Sequence, residues 1–145
     1  MVRDTLQLVI FVGLQGSGKT SWYRAHYAAT HVHVSKDLML NARNRDARQM
    51  LQIEEALGEG RSVVVDNTNP TPEVRAPLIA AGRRFGARVI AMYFEANVRA
   101  VLIRNRARQG KERVPDVAIF ATRKKLIAPT VDEGFDEVIV IGASA

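Results

Sequence analysis

The 145-residue chain reads as an α/β protein built on a buried parallel sheet wrapped by helices. Two features predict that class. Short apolar runs rich in β-branched residues alternate along the whole chain with longer segments of helical spacing. The runs are also continuous rather than alternately polar, as strands covered on both faces should be. Apolar residues make up 47% and charged residues 25%, the balance of an ordinary globular protein, and the length suits one domain over residues 1–145.

The elements follow in order. LQLVIFV (6–12) is the first strand, and Lys19 to Ala29 the first helix. HVHV (31–34) is the second strand, followed by a helix from Arg48 to Leu57 with Met50, Leu51, Ile53 and Leu57 at helical spacing. SVVV (62–65) precedes a helix from Glu73 to Phe85, opened by Pro72 and stopped by Gly86. RVIAMYF (88–94) is the fourth strand, then Asn97 to Arg108 is helical, as is Asp116 to Leu126 after Pro115. EVIVI (137–141) is the last strand. No repeat, low-complexity tract or linker interrupts the pattern, which leaves the strand order open.

Composition excludes several functions. Cysteine is absent, so there is no disulfide framework, thiolate metal site or cysteine nucleophile, which suits a reducing compartment. The start MVRDTLQLVIFVG lacks a signal-peptide cleavage site, and no run approaches the roughly 18 to 20 apolar residues of a membrane helix. A cytoplasmic protein without membrane contact is expected. Net charge is +6, yet residues 83–125 alone hold 12 Lys/Arg against 3 Asp/Glu. Such a block suits a polyanion, or else it is a solvated helix face.

Gly13-Leu14-Gln15-Gly16-Ser17-Gly18-Lys19-Thr20 matches the Walker A form GxxxxGK[ST], directly after a strand and opening a helix. Glycines let successive backbone N–H groups curl around an anion, and the helix N-terminus adds its positive end. This spacing predicts a P-loop, with Lys19 bridging the β- and γ-phosphates of ATP and Thr20 ligating Mg²⁺. Val63-Val64-Val65-Asp66 has the apolar-run-then-acid form of a Walker B strand, placing Asp66 near the metal. The Asp66-Asn67-Thr68-Asn69 stretch also suits an Asx-turn leading into a Pro-initiated helix.

Asp37, just past the second apolar run, is where a general base for phosphoryl transfer would stand, or alternatively an N-cap for the next helix. Arg104 to Pro115 (RNRARQGKERVP) carries five cations around a glycine. It reads either as a lid closing on transferred phosphate or as an exposed helix end with dipole-complementing arginines. His31 and His33 have nothing nearby to complete a metal site and are read as packing or solvent-facing residues. Trp22, Tyr23 and Tyr27 are expected to pack the P-loop helix onto the sheet. No NKxD tetrapeptide follows a strand, and no ABC-type signature or DxDGT motif is present, which disfavours a GTPase switch, a transport ATPase and a phosphatase.

Taken together, GLQGSGKTS, Ser35-Lys36-Asp37, VVVDNTNPTPEVR (63–75), RNRARQGKERVP (104–115) and EGFDEVIVI (133–141) resemble one P-loop kinase family. It contains the bacteriophage polynucleotide kinase and the kinase domains of bacterial and animal end-healing enzymes. The same layout is similar to AAA-type small kinases and zeta-type toxins. The resemblance implies a three-layer, adenylate-kinase-like P-loop fold with a five-stranded parallel sheet in order 2-3-1-4-5 and a small helical lid over about 104–115. It implies transfer of the γ-phosphate of ATP, with Mg²⁺, to a hydroxyl, in the family's best-known case the 5′-OH of RNA or DNA in nucleic-acid repair. Matched residue by residue, Lys19, Asp37 and Arg108 are the implied catalytic set, with Asp37 as base and Arg108 as the lid arginine on the donor phosphates. The nucleotide set adds Gly13, Gln15, Gly16, Ser17, Gly18, Thr20, Ser21 and Arg104, and the metal set is Thr20 with Asp66. One departure stands out: the phage-type pattern has an acceptor-binding arginine three residues after the base, and here that position is Leu40. Lys36, Arg43 and Arg45 are the candidates to replace it. A small-molecule acceptor and a regulatory ATP-binding module are the alternative readings.

Overall fold

The computed structural model describes residues 5–39, 43–108, 110 and 113–142. Strands β1 (Gln7–Gly13), β2 (His31–Val34), β3 (Ser62–Val65), β4 (Arg88–Phe94) and β5 (Glu137–Ile141) form one parallel sheet in the order β2-β3-β1-β4-β5. This is the order the resemblance implies. Helices α1 (Lys19–His26), α2 (Arg45–Gly58), α3 (Pro72–Arg84), α4 (Val98–Ala107) and α5 (Asp116–Lys125) make the crossovers and the covering layers.

The continuous apolar runs are explained by burial on both faces. Leu8, Ile10 and Val12 of β1 join Ile53 and Leu57 of α2 and Leu78 and Ile79 of α3 in one core. Val9 and Phe11 point the other way and meet Tyr23 of α1, with Trp22 and Tyr27 packed beside it. Each such side chain contributes about 1.5–3 kcal/mol when fully buried, so neither face tolerates a polar residue. Trp22 and Phe94 meet edge-on at 6.0 Å, and the Tyr23 hydroxyl donates to the His31 carbonyl at 2.6 Å. The α1 aromatics therefore pack the helix to the sheet, as expected.

The boundaries differ by more than one residue at two helices, for local reasons. α1 stops at His26 because the Tyr27 carbonyl turns to accept from Thr30 and His31. α2 starts at Arg45, three residues early, because Asn44 caps it: its side chain accepts from the Ala47 amide at 3.2 Å. α3 continues through Pro77; the lost donor leaves the carbonyl of exposed Glu73 to solvent. It lies tight on the sheet at Gly82, where a Cβ would stand 2.6 Å from Val89 and 3.0 Å from Leu8. Among the described residues, no helix is long and apolar enough to cross a membrane.

Candidate functional site

β1 pairs with β4 over its whole length, which sets Gly13 directly against Phe94. A Cβ at Gly13 would lie 2.9 Å from the Phe94 carbonyl oxygen, so only glycine lets the chain leave β1 here. The loop then turns through Gly16 and Gly18 at φ 75° and 94°, left-handed values that free its amides to point inward. The Lys19 amine folds back over this loop, donating to the carbonyls of Gly13 (3.0 Å) and Leu14 (2.5 Å). Burial lowers its pKa from the ordinary 10.5 to about 8; the Asp66 and Asp37 charges oppose that fall and the Arg108 charge adds to it. Four residues distant in sequence thus share one electrostatic neighbourhood.

Thr20, the next residue, donates its hydroxyl to Asp66 Oδ2 at 2.8 Å. The same oxygen contacts His33 Nε2 at 2.8 Å, and the His33 ring is stacked on Tyr23 with centroids 4.0 Å apart. A carboxylate oxygen only accepts, so this contact places a proton on Nε2. A hydroxyl beside a carboxylate is the hard-oxygen donor set of Mg²⁺. Among the described residues no group of three or more His, Cys, Asp or Glu could hold a metal alone. The residues present therefore fit a cation that takes most of its ligands from nucleotide phosphates and water.

Asp37 lies in a single 3₁₀ turn, Lys36–Leu38, whose cap is Ser35: its hydroxyl accepts from the Asp37 amide at 3.2 Å. Capping here falls to Ser35 and Asn44, and the exposed Asp37 carboxylate makes no hydrogen bond or ion pair with a described residue. The adjoining asparagines brace the loops. Asn67 accepts from the Lys36 amide at 2.9 Å and donates to Gln49 at 2.6 Å. Asn69, at φ 42°, donates to the Phe11 carbonyl at 2.8 Å.

The arginine-rich segment divides its labour. Arg104 donates from Nε and Nη2 to the Gly16 carbonyl at 3.0 and 2.8 Å. Arg108 also overhangs the loop, where a Cβ on Gly16 would meet its guanidinium at 3.7 Å. Buried Asn105 exchanges hydrogen bonds with the Val114 backbone at 2.6 and 2.9 Å, and Arg106 pairs with Asp116 at 3.3 Å. The segment is thus folded back on itself across the P-loop, with residues 109, 111 and 112 outside the described set.

Other expected residues are placed differently. Gln15 turns away to donate to Thr122 of α5 at 3.1 Å, and exposed Ser21 faces outward on α1. The Ser17 hydroxyl lies 3.4 Å from the Lys19 amine, and its amide donates to the Leu14 carbonyl at 3.2 Å. Lys36 is ion-paired with Asp46, whereas Arg43 and Arg45 are exposed; Leu40 lies outside the described residues.

Sequence reasoning missed His33 and Asn105, because the one looked like a strand residue and the other was hidden among arginines. It also missed Arg75, wholly buried at 0% exposure. Arg75 grips both oxygens of Glu133 at 2.8 and 2.9 Å and donates to the carbonyls of Asn69 (2.9 Å) and Ile127 (3.0 Å). The Glu133-Gly134-Phe135-Asp136 stretch is accordingly structural: Asp136 accepts from the Val89 amide at 2.8 Å and pairs with Arg83 at 3.0 Å.

A family model described as AAA domain matches residues 8–129. A bifunctional polynucleotide phosphatase/kinase of Schizosaccharomyces pombe is 26% identical over 136 residues, covering 91% of this chain and 32% of that protein. The chain thus spans about a third of that relative's length. Chaetomium thermophilum Kti12, solved with ADP-AlF3, superposes with a TM-score of 0.76 at 18% identity, covering 93% of this chain and 88% of that one. A gluconokinase from Sinorhizobium meliloti superposes with a TM-score of 0.69 at 17% identity, covering 99% and 86%. These structures share the P-loop kinase fold.

Proposed function

The chain belongs to the AAA-domain family, and from that membership and the site we propose that it transfers the γ-phosphate of ATP to a 5′-OH end of RNA or DNA. The observation that carries the reading is the convergence on Lys19 of Asp37, Asp66 and Arg108. A regulatory nucleotide binder has no use for a carboxylate that acts on the P-loop lysine and makes no hydrogen bond or ion pair among the described residues. The curated polynucleotide phosphatase/kinase relative supports the choice of acceptor.

In this reading the loop amides and Lys19 hold the β- and γ-phosphates, and Asp37 takes the proton of the attacking hydroxyl. Arg104 leaves the Gly16 carbonyl and, with Arg108 above the same loop, turns onto the donor, and residues 104–115 close as a lid that excludes water. Mg²⁺, held by Thr20 with Asp66 close behind, would neutralise charge on the phosphates.

Incubation with labelled ATP and a set of 5′-OH DNA and RNA oligonucleotides should label the 5′ ends; transfer to none of them sinks the acceptor assignment. Asp37→Ala should lower turnover about 100- to 10,000-fold, the worth of a positioned base, while ATP binding is unchanged; full activity in that variant removes Asp37 from the mechanism. Leu40, where the family pattern has an arginine, favours a second reading, a kinase for a small hydroxylated metabolite. Activity on a metabolite panel with none on oligonucleotides would select it.

A further inference from the structure

A cavity of about 530 Å³ opens beside the P-loop on the side away from Asp37. Leu14, Tyr93 and Leu126 line it, together with Asn97 and Arg99 at the start of α4 and Arg123 of α5. It sits at the carboxyl ends of β1 and β4, where ligands of open α/β sheets collect, and its volume suits a small-ligand site. None of these residues belongs to the expected donor or base sets, and of the loop only Leu14 reaches it.

We propose that this cavity is the second acceptor subsite: it holds the nucleotide that follows the 5′-OH terminus, the phosphate on that nucleotide's 3′ side lying between Arg99 and Arg123 and its base against Tyr93. The inference rests on the polynucleotide reading and deepens it. Three observations carry it. Arg99 and Arg123 are both exposed and form no ion pair with a described residue, whereas Arg104, Arg106 and Arg75 are all engaged. Two guanidiniums that line one cavity and have no ion-pair partner among the described residues suit an anion, and both belong to the basic block of 83–125. Tyr93 is half-buried there, a ring of the kind on which bases stack. Position sets the distance: from the end of β2, which precedes Asp37, the cavity lies two to three strand spacings away, about 10–14 Å. A terminal nucleoside with its hydroxyl at Asp37 stops short of the cavity, and the next nucleotide reaches it. The Gln15–Thr122 bond, one residue from Leu14 and from Arg123, ties the cavity's wall to the P-loop.

The test compares a 5′-OH decamer with a single nucleoside 3′-phosphate as acceptors for the wild type, the Arg99→Gln/Arg123→Gln double variant and Arg123→Lys. The double variant should raise the decamer KM roughly tenfold, as lost charge-assisted contacts do, with the ATP KM, the mononucleotide KM and the melting temperature unchanged. Its log–log salt dependence of decamer binding should flatten by about 0.7 per arginine removed, while Arg123→Lys keeps the slope. An unchanged decamer KM and slope, or an equal loss on both acceptors, overturns the subsite. A raised ATP KM overturns it in favour of the donor base. Either result leaves the polynucleotide reading standing if the wild type labels oligonucleotides; a wild type that labels only metabolites removes both.

Discussion

A buried amine inside a loop shaped for anions is a penalty until the anion arrives. Lys19 meets that description, with a pKa brought from 10.5 to about 8 chiefly by burial. The unfolded chain binds its proton more tightly than the folded one, so the penalty is complete below pH 8 and fades as pH rises toward 10.5. The free protein should therefore gain stability across that interval, by up to about 3 kcal/mol, and Lys19→Met should abolish the gain. Urea titrations of both proteins across the interval measure it; identical pH profiles would mean that the amine is solvated. At this scale the sequence was legible where a motif fixes spacing, as at Gly13, Lys19 and Thr20. It was not legible at His33, because a two-residue period says which strand face a ring occupies and nothing of the carboxylate arriving from the neighbouring strand. Gln15 carries a tie that no motif announces: its side chain donates to Thr122, 107 residues away.

Between elements, the strongest single tie is Arg75 to Glu133. Burial of Glu133 works against its ionised form, but the hydrogen bond from Arg75, the Thr130 amide and the Arg75 charge outweigh it, and the pKa is lowered. A depressed carboxylate stabilises above its ordinary pKa, and that stabilisation is lost as pH falls through the folded value. Glu133→Ala strands a fully buried guanidinium and should cost about 3–5 kcal/mol, while Arg75→Met/Glu133→Leu recovers most of the loss. Thermal melts at neutral and acid pH check both claims, since the double variant should also lose part of the acid sensitivity. The helices and strands were legible from periodicity, and their caps moved the ends: Asn44 started α2 three residues early. The lid alternatives could not be separated by composition, because arginines on a helix end and arginines over a P-loop have the same sequence. In the structure Asn105, through paired bonds to the Val114 backbone, folds the segment back on itself.

For the whole molecule, a site assembled from β1, β2, β3 and α4 links nucleotide binding to global stability. ATP at a hundredfold excess over its Kd should stabilise the protein by about 2.7 kcal/mol. Arg104→Ala should shrink the shift in melting temperature through weaker binding, beyond the small drop in the free protein's melting point from the two lost bonds to the Gly16 carbonyl. The α/β class was legible from alternating runs, yet the order β2-β3-β1-β4-β5 was not, since parallel strands joined by helices carry no local mark of their neighbours. It came only through resemblance.

The clamp on Ile127 has one more consequence. Ile127 is fixed at its amide by Pro70 (2.8 Å) and at its carbonyl by Arg75, while Ala96 and Leu126 line the same cavity. The excursion from Val98 to Lys125 therefore leaves and rejoins the body at adjacent points, both anchored without its help. Segments with neighbouring feet are the ones that can be exchanged whole. The sheet and its P-loop amount to a socket, and the helical pair is a cartridge: swapping it between relatives should carry Arg104 and Arg108 along as a unit while Lys19, Thr20 and Asp66 stay in place.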